Sequence, residues 1–118
     1  MRSRLMKMLE SRKDEIIRIR RYLHQYPELS FQEKQTAQYI AKFYEGKDVE
    51  IQTNIGGGYG IVVTIKGGKP GKTIGLRADF DALPITEETD LPFKSKNKGV
   101  MHACGHDGHT AYLMVLAD

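Results

Sequence analysis

The segment Met101-His-Ala-Cys-Gly-His-Asp-Gly-His-Thr110 gathers the chain's single cysteine and three of its four histidines. Thiolate and imidazole each present a lone pair at small proton cost near neutral pH, so they are the side chains that hold transition metals. Gly105 and Gly108 allow the backbone to turn tightly between those donors. The pattern reads as a metal cradle. The plainer alternative is a polar turn whose histidines cap the helix that follows.

A second constellation stands some twenty residues earlier, in Asp79-Phe-Asp81-Ala-Leu-Pro84. It follows a strand-like run, and strand ends in open α/β sheets border the crevice where ligands bind. Alternation puts Asp79 and Asp81 on one side of an extended backbone. Two carboxylates that close repel each other unless a cation or protons lie between them. The alternative is that they cap the loop or pair with Arg77. Taken together, the two constellations could converge on one divalent ion.

A few elements must position these residues. Leu5, Leu9, Ile16, Ile19 and Leu23 recur at helical spacing, which predicts one amphipathic helix over about 4–25, stopped by Pro27. Ser30-Phe-Gln-Glu33 has the form of a capping box, and Thr36, Tyr39, Ile40 and Phe43 supply the buried stripe of a second helix that Gly46 ends. Val49, Ile51 and Thr53 alternate as a half-buried strand does. Gly56-Gly-Gly58 lacks the lysine of a phosphate-binding loop and reads as a hairpin or flexible connector. Residues 61–65 form a strand and residues 73–78 a second, more buried one. The Cys/His motif then opens a third helix, with Leu113, Leu116 and Ala117 facing inward. That helix stops at Asp118 barely two turns past the motif, with no C-cap and no basic last turn, so the chain is expected to be a fragment of an α/β layered domain. His24 reads as a structural residue at the negative end of a helix dipole. Arg77, Glu87 and Glu88 read as solvent-facing or ion-paired.

Composition narrows the classes. With 118 residues, 28% charged and 40% hydrophobic, the chain has room for one folded domain and is not of disordered type. No apolar run approaches the length a bilayer needs, and no apolar stretch follows the basic N-terminus as in a secretion signal. The net charge of +3 comes from basic residues interspersed with acids, without a nucleic-acid-reading motif. Neither nucleic acid nor membrane is expected as a partner. One free cysteine beside histidines suits a reducing, cytoplasmic interior.

The run Arg77-Ala-Asp-Phe-Asp-Ala-Leu-Pro-Ile85, the Cys/His motif, and the earlier Arg20-Arg-Tyr-Leu-His-Gln-Tyr-Pro-Glu-Leu-Ser30 with Glu33 together resemble the M20 metallopeptidases. The similarity is to their N-acyl-amino-acid amidohydrolases, the aminoacylase, hippurate and auxin-conjugate hydrolases. It spans nearly the whole chain. The resemblance implies that residues 1–118 are the N-terminal part of a partial, layered α/β catalytic domain. That part would hold two N-terminal helices, strands of a mixed sheet and a truncated helix after the metal motif. The rest of the domain, and an inserted lid and dimerisation domain, would lie outside it. It also implies a site for two divalent ions (zinc, manganese, cobalt or nickel), a small N-acyl amino acid as substrate, and a homo-oligomer at full length.

By the family pattern Cys104 and His106 are metal ligands, Cys104 bridging the two ions, and Asp81 is the catalytic-site carboxylate that orients a ligand. Asp79, His102, Asp107 and His109 match family positions as residues contacting substrate or supporting the ligands. Many relatives in the wider group carry His-x-Asp where this chain has Asp79-Phe-Asp81, so His106 would substitute for that histidine in space. The general-base glutamate and the remaining ligands of the family lie outside these residues, and the chain by itself is expected to be inactive. A non-catalytic truncated homologue, or a small zinc-binding module built on Cys104, His102, His106 and His109, is the alternative. Four ligands within eight consecutive residues close a tetrahedron poorly.

Overall fold

Four helices and one hairpin make up the chain in this computed structural model, which describes residues 1–118. In order they are α1 (Arg2–Ser11), α2 (Lys13–Gln25), α3 (Lys34–Phe43), β1 (Glu50–Ile55), β2 (Gly60–Thr64) and α4 (His106–Ala117). The core lies where α2, α3 and α4 meet. Ile19 and Leu23 of α2, Ile40 of α3, Tyr44 just beyond it, and Ala111, Met114 and Val115 of α4 form one buried cluster. The Tyr44 hydroxyl donates to the Met114 carbonyl at 2.8 Å, satisfying the one polar atom that α3's end brings into this core.

The N-terminal helix differs from its sequence reading. Instead of one helix over 4–25, the chain breaks at Arg12, which has φ −110° and ψ 11°. Ser11 Oγ donates to the Met8 carbonyl at 2.6 Å, a side-chain bond that competes with helix propagation. The Arg12 guanidinium is held by Glu15 and by Asp118 at the far end of the chain. No residue of α1 is buried, so Leu5 lies outside the stripe that Ile19 and Leu23 bury.

Helix α3 begins later than its capping-box pattern predicts, at Lys34. Glu28 does the capping: its carboxylate accepts the Gln35 and Thr36 amides at 3.2 and 2.6 Å. Glu33 instead accepts the Phe31 amide at 2.9 Å, and Phe31 takes a left-handed φ of 65°. The buried face is Thr36, Ala37 and Ile40, with Tyr39 and Phe43 packed partly against the core.

β1 and β2 pair antiparallel, with Ile51 opposite Val63, through a glycine turn in which Gly56 and Gly57 hold φ near +75°. This is the hairpin that the triple glycine suggested. The predicted strand over 73–78 does not form: the segment is extended but makes no ladder, and Ile74 and Leu76 are 82% and 63% exposed. A strand exists through hydrogen bonds to a neighbour, and no other segment of these 118 residues runs beside it. With β2, α3 and α4, these side chains line an apolar groove of about 300 Å³. Only beyond it is the segment tied down. Ala82 N donates to Glu28 O at 2.8 Å, while Leu83 and Met101 exchange backbone bonds of 2.9 and 3.0 Å. The chain is α/β as expected of a partial layered domain, and the strands it forms are a two-stranded antiparallel hairpin.

The face that α4 buries is Asp107, Thr110, Ala111, Met114 and Val115. Leu113, Leu116 and Ala117, expected inward, lie to its sides, and Leu116 is exposed. The observed face follows the i, i+3, i+4, i+7, i+8 spacing of a packed helix, but its first two members are polar. Of the three residues expected inward, Ala117 packs against the core, Leu113 is half-buried and Leu116 alone faces solvent.

Candidate metal centre

The turn Cys104–Gly105 delivers the chain into α4. Gly105 stands at the N-cap with φ +99°, a left-handed conformation that any Cβ disfavours, and no side chain caps the helix. His106, the first helical residue, faces the 79–81 segment. Its Nδ1 lies 2.9 Å from Asp81 Oδ1 and 3.1 Å from the Asp81 carbonyl. Both partners only accept, so Nδ1 carries the proton and donates. Nε2 points the other way and lies 3.9 Å from Asp79 Oδ2. A carboxylate on one imidazole nitrogen that frees the other is the arrangement that orients metal-binding histidines and raises their basicity.

Asp79 is fixed from two sides. The Thr110 hydroxyl, one turn after His106, donates to the Asp79 carbonyl at 2.7 Å, and Arg77 pairs with Asp79 Oδ1 at 2.5 Å. The side chains of Asp79, Asp81 and His106 open into a cleft of about 530 Å³, walled by Phe31, Tyr59 and Ile61 and floored by the hairpin glycines. Alternation along the extended segment does place both carboxylates toward one imidazole.

The other motif residues lie around this cluster. Cys104 is a free, exposed thiol two positions before His106. His102 is buried, and neither of its ring nitrogens has a hydrogen-bond partner. Burial pushes its imidazole down to about 4, against the opposing pull of Asp107, so the ring is neutral at pH 7. Asp107 is directed away from the cleft, toward α2. His109 lies on the exposed side of α4, its ring 5.9 Å from those of His106 and Tyr112.

These donors fit a transition-metal ion in kind: a free thiol, an imidazole held by a carboxylate, and a buried neutral imidazole with both nitrogens unpartnered. No three His, Cys, Asp or Glu side chains of the chain come close enough together to hold an ion by themselves.

Sequence reasoning gave four residues around the site no part in it. Thr110 ties α4 to Asp79, and Arg20, His24 and Glu87 surround Asp107. His24 is structural, as its place at a helix end suggested, but it sits between two buried carboxylates. Glu87 is ion-paired, one of the two roles expected of it. Burial pushes the Glu87 carboxyl up, yet hydrogen bonds from Thr89, the Ser95 amide and His24 outweigh that and hold it below its ordinary value. The available signal was Arg20 and His24, four residues apart on one helix face.

The site is thus a carboxylate–imidazole pair at a cleft, with a free, exposed thiol two residues before the imidazole. The sequence model of peptidase family M20/M25/M40 matches residues 75–118 of the chain. A crystal structure of a protein from methicillin-resistant Staphylococcus aureus is 66% identical and superposes with TM-score 0.94, covering 99% of this chain and 30% of that one. The YXEP protein of Bacillus subtilis, a dinuclear metal binding peptidase from the M20 family, is 47% identical at TM-score 0.81, covering 89% of this chain and 30% of that one. An N-acetyl-L-cysteine deacetylase of Bacillus subtilis is 49% identical over 106 residues, 90% of this chain and 25% of the relative. The chain thus spans 25–30% of the length of these relatives.

Proposed function

We propose that residues 1–118 are the N-terminal part of the catalytic domain of a divalent-metal-dependent amidohydrolase that cleaves the amide bond of N-acyl amino acids. The observation that carries this reading is the Asp81–His106 pair, which turns Nε2 toward Asp79 at a cleft, two residues after a free thiol. In this reading Cys104 and His106 are ligands, and Asp81 keeps His106 in the tautomer that offers Nε2. Asp79 contributes negative charge toward the same point, and Arg77 holds Asp79 in place. When bound, two divalent ions lower the pKa of a shared water and stabilise the charge that develops on the amide oxygen. Phe31, Tyr59 and Ile61 supply apolar wall for the acyl or side-chain part of a substrate.

The remaining ligands and the general base come from the rest of the protein, as does the strand that pairs with residues 73–78 and covers Ile74 and Leu76. An inserted lid and dimerisation domain belongs to that remainder, and the natural-length protein is a cytoplasmic homo-oligomer. The metals are two per site, from zinc, manganese, cobalt and nickel. The 118-residue chain by itself is inactive, because catalytic zinc usually takes three protein ligands and a water.

The test is the protein at its natural length, stripped with chelator, reloaded with each of these metals and assayed on N-acetyl amino acids. Metal-restored release of free amino acid supports the reading. Activity that survives stripping, or its absence with every metal, refutes it. Turnover by the 118-residue chain refutes its proposed inactivity.

A further inference from the structure

Arg20 and His24 take no part in the Asp79–Asp81–His106 cluster, yet they are built into the residue next to it. His24, in the last turn of α2, is 3% exposed. Its Nδ1 lies 2.8 Å from Asp107 Oδ2 and its Nε2 lies 2.9 Å from Glu87 Oε1. Arg20, one helical turn earlier, donates Nε to the same Asp107 oxygen at 3.0 Å. The other Asp107 oxygen accepts the Gly108 amide at 2.9 Å. Glu87, whose side chain is 2% exposed, also accepts the Ser95 amide at 2.8 Å and so brings the 87–95 loop onto the array. Phe93 covers it, with the Arg20 guanidinium 5.4 Å and the His24 ring 5.8 Å from its ring centre.

Burying charges in this way is a poor route to stability, since apolar residues of similar volume often do as well or better. Its position is the informative part. Asp107 adjoins His106, and successive residues on a helix point about 100° apart, following from roughly 3.6 residues per turn. Clamping Asp107 toward α2 therefore sets the roll of the first turn of α4, and with it the direction of His106 toward Asp81. The left-handed Gly105 turn that carries Cys104 hangs on the same first turn, which no side-chain cap otherwise fixes.

We propose that Arg20 and His24 are positioning residues for the metal centre: acting through Asp107, they fix the first turn of α4 and so the aim of Cys104 and His106. This rests on the metal-centre reading above.

The experiment uses the natural-length protein, with metal affinity measured by chelator competition and the cobalt(II) absorption spectrum recording thiolate and imidazole ligation. Arg20→Ala and His24→Gln weaken metal binding by roughly 10- to 100-fold, the usual effect of losing groups that orient ligands, and change the cobalt spectrum. Arg20→Lys restores part of the loss. Leu23→Ala, which opens a cavity on the same helix, lowers the melting temperature but moves neither affinity nor spectrum. The Arg20 side chain is 40% exposed, so Arg20→Ala decides the matter if His24→Gln does not fold. Arg20 and His24 variants that fold and bind metal as the parent does overturn this proposal alone. So does a Leu23→Ala variant that weakens binding equally. A parent protein that binds no metal overturns the metal reading and this proposal with it.

Discussion

His106 Nδ1 lies 2.9 Å from Asp81 Oδ1 across a sequence separation of 25 residues. That contact decides which imidazole nitrogen faces the Asp81 carboxylate and which faces Asp79. Replacing the carboxylate by an amide keeps the shape but weakens the hold on the tautomer. Asp81→Asn is expected to lower metal affinity by roughly 10- to 100-fold in the natural-length protein, with little change in folding. Chelator competition beside a circular dichroism melt checks both parts. Unchanged affinity contradicts the role given to Asp81.

Gly105 offers a purely conformational test. At φ +99° a Cβ would find nothing nearer than His109 Nε2 at 3.7 Å, so substitution meets strain and not a clash. Gly105→Ala is expected to cost about 1–2 kcal/mol, the usual penalty of a left-handed L-residue. Urea denaturation measures it, and a cost near zero shows that the turn relaxes to another conformation.

Glu87 makes a statement about acid stability. Its carboxyl is held below the ordinary 4.5 in the folded chain. The unfolded chain therefore takes up a proton first as pH falls, and the stabilisation, complete above that value, is lost as pH drops through the lower folded pKa. Glu87→Gln is expected to be less stable at neutral pH and to show a shallower fall in stability below pH 4.5. Parallel acid limbs for the two proteins in denaturation curves contradict this.

Tyr44 behaves in the opposite sense. Burial pushes its hydroxyl from 10.0 up to about 12. Its contribution is complete below 10.0 and is lost as pH rises toward about 12. Tyr44→Phe removes the bond to the Met114 carbonyl at a cost of roughly 1 kcal/mol. It also flattens that alkaline decline. Chemical denaturation at neutral and alkaline pH reads both effects.

Much of the candidate site was legible because its chemistry is local in sequence. Gly105 announces the turn between Cys104 and His106, and alternation alone puts Asp79 and Asp81 on one side. The hairpin declared itself through Gly56 and Gly57, and the α2 and α3 stripes through Ile19, Leu23 and Ile40. Helix α4 was only partly legible because its inward stripe starts with Asp107 and Thr110, whose burial depends on partners 87 and 31 residues away. The break at Arg12 and the cap from Glu28 escaped for a different reason: each rests on specific side-chain bonds that compete with a local pattern.

The order of residues by itself determined which side chains could bind a metal, where the backbone must turn and which family the chain resembles, because those properties belong to short segments. Only the folded chain decided that His106 Nδ1 donates a hydrogen bond to Asp81, that Asp107 turns away toward Arg20 and His24, and that residues 73–78 stay unpaired. Each of these depends on what lies opposite in space, and hydrogen bonds and buried charges are satisfied by neighbours that sequence distance does not reveal.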